Sequence, residues 1–103
     1  MLVVNRFRGD DGLRADLETA LAALAARPGF LDSSLGRNVD DPTLWVLVTR
    51  WQDVGSYRRA LSAYEVKLSA VPVLSRAIDE PSGYELVSDG ELNTAVPRDL
   101  DAR

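Results

Sequence analysis

The stretch Pro28–Asp53, PGFLDSSLGRNVDDPTLWVLVTRWQD, decides how this chain folds. Pro28-Gly29 stops a preceding helix, because proline has no N–H to give and glycine accepts the backbone turn that follows. Phe30 to Val39 reads as a strand, less regular than most, with Ser33, Ser34 and Gly36 in it; the glycine marks either a bulge or a close backbone approach. Asp40-Asp41-Pro42 supplies the turn of a hairpin. Leu44 to Trp51 is the clearest strand. It places Trp45, Leu47 and Trp51 on one face and Leu44, Val46 and Val48 on the other. A strand apolar on both faces is covered on both sides. Helices cover one side, and a second copy's sheet is the simplest cover for the other. Gln52-Asp53 then breaks the strand.

Working outward, Leu2 to Arg8 (LVVNRFR) is short and β-branched, with Val3, Asn5 and Phe7 on one face. Gly9-Asp10-Asp11-Gly12 is a turn in which either aspartate can cap the next helix. Leu13, Leu17, Leu21 and Leu24 recur at helical spacing to about Ala26. After the hairpin, Val54, Tyr57, Leu61, Tyr64 and Leu68 share one face of a second helix, and Pro72 ends that helix or its extension. Residues 73–80 are ambiguous, with a further helical turn one reading. Pro81-Ser82-Gly83 is a turn, and Tyr84 to Val87 is a last strand. The order β-α-β-β-α-β predicts an α+β, ferredoxin-like plan: a four-stranded antiparallel sheet with helices on one face. Residues 1–88 are expected to form this domain and residues 89–103 a polar C-terminal tail.

Composition removes whole classes of chemistry. The 103 residues include no cysteine and no histidine, which excludes thiolate nucleophiles, histidine bases and histidine-ligated metals. The adjacent acids Asp40-Asp41 and Asp79-Glu80 sit near turns and read as solvated, so no metal site is expected. A net charge of −4 opposes nucleic-acid binding. No apolar run is long enough to span a membrane. MLVVNRFRGDD lacks a basic region ahead of its apolar run, so no signal peptide is expected and a cytoplasmic location follows by default. Hydrophobic residues at 46% and charged residues at 27% fit a globular domain whose small core would gain from a partner subunit.

What remains is an apolar pocket between sheet and helices, the usual place for a small molecule. Its candidate lining is Asn5 and Phe7 on the first strand, Leu47, Thr49 and Trp51 on the third, and Tyr57, Tyr64 and Leu68 on the second helix. Asn5 interrupts an apolar face, and its amide needs partners, either a neighbouring loop or a ligand. Trp51 closes a strand, where its N–H serves either a carbonyl or a ligand.

With these elements placed, the chain resembles the antibiotic biosynthesis monooxygenase superfamily of dimeric α+β barrels. The residues that carry the resemblance are Val3-Val4-Asn5-Arg6-Phe7, Pro28-Gly29-Phe30-Leu31, Trp45 to Trp51 with Gln52-Asp53, and Leu68-Ser69-Ala70-Val71-Pro72. The resemblance implies a homodimer whose two sheets pack face to face. It also implies either cofactor-independent oxygenation of polyketide anthrones, haem degradation, or a member without known activity. The haem-degrading branch is matched at Asn5. Its helix tryptophan falls near Ala60 and its haem-ligating histidine near Ser69 or Ala70. The anthrone-oxidising branch is matched at Trp51, with its strand asparagine falling at Leu47 and its helix arginine near Glu65. The resulting expectation is a cofactorless monooxygenase for a small aromatic or polyketide-like molecule, with Asn5 and Trp51 as donors. A non-catalytic binding or dimerisation module and a cofactorless isomerase or cyclase are the alternatives.

Overall fold

A computed structural model describes residues 1–90 and residue 92. Strand β1 (Leu2–Arg8), helix α1 (Gly12–Ala25), β2 (Phe30–Arg37), β3 (Leu44–Trp51), α2 (Val54–Ser62), α3 (Tyr64–Ser69), α4 (Val71–Leu74) and β4 (Gly83–Tyr84) follow one another. The sheet is antiparallel in the order β2-β3-β1-β4, and this is the ferredoxin-like α+β fold expected from the sequence. Of the tail expected over residues 89–103, residue 91 and residues 93–103 lie outside the described residues. Among the described residues no helix is long and apolar enough to cross a membrane.

β3 is central because its alternation satisfies two surfaces. Trp45, Leu47, Thr49 and Trp51 are buried against the helices. They stand beside Phe7, Asn5 and Val3 of β1 through the pairs Phe7↔Trp45, Asn5↔Leu47 and Val3↔Thr49. Leu13, Leu17, Ala20 and Leu24 of α1 fill the space below. Each fully buried leucine there contributes about 2 kcal/mol. The opposite sheet face carries Leu2, Val4, Leu44, Val46 and Val48, all half-buried within the single chain. Its rim holds the ion pairs Arg6–Glu80, Arg8–Asp41 and Arg50–Asp32.

One of the two readings of Gly36 holds, and three expectations change. The irregularity in β2 lies between Phe30 and Asp32, not at Gly36, which pairs regularly with Val46. Gly36 is there for close approach: a Cβ would stand 3.3 Å from Val46 Cγ1. The second helix is three pieces, because Ala63 is extended at φ −71°, ψ 141°. That break resets the helical phase, so Val66, Ala70 and Val73 turn inward while Tyr64 and Leu68 are 73% and 61% exposed. Pro72 does not end a helix. It lies in the first turn of α4, where a missing N–H costs nothing. The last strand is only Gly83–Tyr84, paired with Val3 and Leu2, with a 3₁₀ turn at Val87–Asp89. Pro81 offers no N–H on one side of this ladder and β1 begins on the other, so it stays short.

The hairpin turn is built rather than merely solvated. Asn38 Oδ1 accepts the N–H groups of Asp40 and Asp41, both at 2.9 Å. Asp41 Oδ1 accepts the Thr43 N–H at 2.9 Å and its hydroxyl at 2.7 Å, and Oδ2 takes Arg8 Nη1 at 2.8 Å. Led by the Thr43 hydroxyl, these bonds lower the Asp41 carboxyl from 3.8 to about 2. A depressed folded-state value stabilises the fold above the ordinary carboxylate range and loses that contribution as pH falls through it. Wild type is therefore expected to melt higher than Asp41→Asn at neutral pH, with the gap closing as pH falls from 3.8 towards about 2. Melting curves of both proteins across that range check this, and a gap that does not depend on pH contradicts it.

Candidate functional site

Asn5 sits between Val3 and Phe7 on the helix-facing side of β1. The segment that borders this strand, Ala77–Ser82, is anchored at both ends of the Asn5 neighbourhood. Ile78 donates its N–H to the Arg6 carbonyl at 2.8 Å, and Val4 donates to the Ser82 carbonyl at 2.7 Å. Between those anchors the chain leaves the strand edge, and a cavity of about 540 Å³ opens beneath it. One wall is apolar: Leu61, Val71, Leu74, Ala77 and Ile78. The polar side comprises Asn5, Tyr57, Ser75 and Ser82, with Asp79 and Glu80.

Tyr57 reaches the cavity from α2, which Asp53 starts by accepting the Ser56 N–H at 2.7 Å. That bond, with the Ser56 side chain, holds the Asp53 carboxyl below its usual range. The Tyr57 ring is braced by an aromatic row. Its centroid lies 5.5 Å from that of Trp51, and Phe30 meets Trp51 edge-on at 5.3 Å. Burial pushes the Tyr57 phenol above its ordinary value, so it keeps its proton at neutral pH. Among the described residues neither the Asn5 amide nor the Tyr57 hydroxyl has a hydrogen-bond partner. Both polar ends are open to the same cavity.

The other candidates are placed differently. Trp51 is fully buried, and its indole N–H goes to Thr49 Oγ1 at 2.8 Å. The expectation that this N–H faces a ligand gives way to an internal bond, which also consumes Thr49. Phe7 and Leu47 are core residues, 1% and 0% exposed, and stand behind the cavity rather than on it. Tyr64 and Leu68 face away because of the break at Ala63. The structure therefore brings Asn5 and Tyr57 together, with Trp51 acting on the cavity through the Tyr57 ring. Sequence reasoning missed the wall from Val71 to Ser82. Leu61, Val71 and Leu74 carried a usable signal as continuing apolar helix positions. The loop residues carried none. Glu80, read as solvated, pairs with Arg6 through two bonds of 2.7 and 2.9 Å, which lower its carboxyl below the usual range.

Removing the indole donor tests the internal bond. Trp51→Phe leaves the Thr49 hydroxyl buried without a partner and is expected to cost about 1–3 kcal/mol. Adding Thr49→Val is expected to recover part of that loss in urea unfolding. No recovery contradicts the bond.

A second cavity of about 600 Å³ lies between α1 and β2. Its polar groups are already engaged with one another. Arg14 pairs with Glu18 at 2.9 Å, and Arg37 pairs with Asp11 at 3.2 Å while its guanidinium lies 5.5 Å from the Trp45 ring centroid. The cavity at Asn5, with its two donors lacking partners, is the candidate site.

Fold and cavity together define a ferredoxin-like α+β domain with an open cavity between sheet and helices. The family model described as antibiotic biosynthesis monooxygenase matches residues 1–68, and the chain belongs to that family. Comparison with curated proteins returns no match. Among solved structures, SnoaB, described as a cofactor-independent oxygenase from Streptomyces nogalater, is 24% identical with a TM-score of 0.66, covering 94% of this chain and 96% of its own. An asparagine-to-alanine variant of it is 25% identical with the same TM-score of 0.66, over 75% of this chain and 82% of its own. A conserved protein of Methanosarcina mazei has the same fold at 16% identity and TM-score 0.59, covering 80% and 84%.

Proposed function

We propose that this protein is a homodimeric, cytoplasmic, cofactor-independent monooxygenase that oxidises a small aromatic, anthrone-type substrate in the cavity at Asn5. The observation that carries the reading is the pair of donors without partners, the Asn5 amide and Tyr57 hydroxyl, set against an apolar wall. Family membership and the likeness to SnoaB support it. The cavity volume is within the range of about 300–1,000 Å³ usual for small-molecule sites.

The chemistry asks little of the protein beyond electrostatics. An anthrone loses a proton from its activated CH₂ to give an enolate. The enolate passes one electron to dioxygen, and the resulting radical and superoxide combine at that carbon as a peroxide anion. The peroxide takes a proton and loses water to leave a ketone. One substrate and one O₂ thus give one quinone and one H₂O. The Asn5 N–H and the Tyr57 O–H donate to the oxyanion as it develops, which is where fixed donors act most strongly. Tyr57, protonated at neutral pH, also has the proton the peroxide needs. The lining shows no strong general base, so ionisation rests largely on the substrate's own acidity.

Leu47 and Glu65 occupy positions where the anthrone-oxidising pattern has asparagine and arginine, and this favours a second reading, a binding module without turnover. Product mass separates the readings. A monooxygenase inserts one oxygen atom, a cyclase or isomerase returns unchanged mass, and a binding module returns the substrate. The half-buried Val4, Val46 and Val48 on the apolar sheet face support dimerisation through it. Val48→Asp is expected to shift the sedimenting species from dimer to monomer, and an unchanged species contradicts that interface.

A further inference from the structure

We propose that Ser75 reads a free hydroxyl on the substrate, so that the cavity at Asn5 prefers hydroxylated ring systems to their methyl ethers. The inference rests on the reading of that cavity as the substrate site. Ser75 follows α4 directly, and its N–H bonds the Val71 carbonyl at 2.9 Å. Its side-chain hydroxyl donates to the Pro72 carbonyl at 2.8 Å. A carbonyl oxygen only accepts, and a serine has one hydroxyl proton, so that proton is committed. What Ser75 keeps is the acceptor capacity of its oxygen. It lines the cavity beside Val71 and Leu74.

The polar groups of the cavity thus divide by element. Asn5 on β1 and Tyr57 on α2 bring donors, and Ser75 at the end of α4 brings an acceptor. A ring system whose carbonyl or oxyanion oxygen takes those donors lays its apolar body against Leu61, Val71 and Leu74. A hydroxyl on that body donates to Ser75 Oγ. A methoxyl in its place has no proton to give, and two acceptors then meet. Recognition at Ser75 also fixes which way round the rings lie, and hence which carbon faces the donors.

Two substitutions at Ser75 separate this role from one confined to shape. Ser75→Ala removes the acceptor with little change in volume. Ser75→Thr keeps the hydroxyl and adds a methyl group. If the Ser75–Pro72 bond served only to finish α4, its loss would affect hydroxylated and methylated ligands alike. Discrimination between the two is the readout that belongs to Ser75 as a reader of the ligand.

The experiment measures, by titration calorimetry, the affinity of three ligands that do not react: an anthraquinone with one hydroxyl remote from its carbonyls, its methyl ether, and the unsubstituted ring. A remote hydroxyl is used because one beside a carbonyl donates to it internally, and the pH is kept low enough for it to stay protonated. Wild type is expected to bind the hydroxyl compound about fivefold more tightly than either of the others, the scale of one hydrogen bond. Ser75→Ala is expected to bring that ratio close to unity while leaving the affinity for the unsubstituted ring unchanged, and Ser75→Thr to keep the ratio. Asn5→Ala, Ser82→Ala and Asp79→Asn, which change other polar groups of the lining, are expected to keep it as well. Equal affinities in wild type, a ratio that survives in Ser75→Ala, or one lost in any of those three variants instead, overturns the inference while leaving the oxygenase reading intact. The expected ratios without turnover of the corresponding anthrone support the role of Ser75 and remove the oxygenase reading. Failure to bind any of the three ligands removes both.

Discussion

Gly29→Ala is expected to destabilise the protein by about 3–5 kcal/mol, combining backbone strain with overpacking. Gly29 has φ +88°, a conformation that side chains resist, and a Cβ there would meet Ser56 Cβ and Oγ. The Gly29 carbonyl accepts the Gln52 N–H at 2.8 Å, so the chain cannot swing away without losing the link between the end of α1 and the end of β3. Two further variants separate the contributions. Ser56→Gly in the Gly29→Ala background removes the collision, leaving Ser56 Cα at an ordinary 3.7 Å, and is expected to recover part of the loss. Gly90→Ala meets φ +112° with no neighbour within 4 Å among the described residues and is expected to cost only about 1 kcal/mol, from strain alone. Urea unfolding of all three reads the result. A Gly29→Ala loss no larger than that of Gly90→Ala contradicts the packing described between this turn and α2.

Asn5→Ala is expected to lower kcat for anthrone oxidation by about 100-fold with little change in KM, the usual loss when a donor to a developing oxyanion is removed. Tyr57→Phe is expected to lower kcat about tenfold, since general acid contributions are typically at least that large. Because the Asn5 amide has no protein partner among the described residues, its removal is expected to leave stability within about 0.5 kcal/mol. Trp51→Phe separates this account from one in which the indole is the donor. Its N–H is held by Thr49, so it is expected to lose stability while keeping kcat within about threefold, far from the loss expected of a direct donor. Unchanged kcat in a folded Asn5→Ala protein, or a larger kcat loss in Trp51→Phe, contradicts the assignment.

The parts of the fold legible in the sequence are those where local signals and burial agree. β3 is apolar on both faces and sits between two strands, and Pro28-Gly29 turns where the backbone needs positive φ. α1 repeats leucine at helical spacing, and Leu13, Leu17 and Leu24 are buried as that spacing requires. The second helical region was misread for a physical reason. Ala63 has neither the ring of proline nor the freedom of glycine, yet it is extended, and Tyr64 and Leu68 beyond it face out while Val66 and Ala70 face in. That single dihedral moved Tyr64 and Leu68 from the expected lining to the surface and brought Val71 and Leu74 in.

The site was legible to the same degree. Asn5 was visible as a polar residue on an apolar strand face, and Tyr57 lies before the break, where the helical phase still held. Trp51 was singled out as a strand-end tryptophan, but its partner Thr49 is two residues away on the same face. That makes the internal bond available whenever the strand is formed. The Ala77–Ser82 wall has no periodicity to read, because loop geometry and the Arg6–Glu80 pair shape it. Pairing between residues so far apart leaves no mark on local sequence.

The most direct test is the rate of oxygen uptake with a dihydroxyanthrone, with chelator present and heat-denatured protein as the control for spontaneous oxidation. The account expects uptake well above that control, undiminished by chelator, with one atom of labelled dioxygen in the quinone and the other in water. Uptake no faster than with denatured protein, for this and other ionisable aromatic substrates that bind the cavity, contradicts the monooxygenase reading and leaves a binding module.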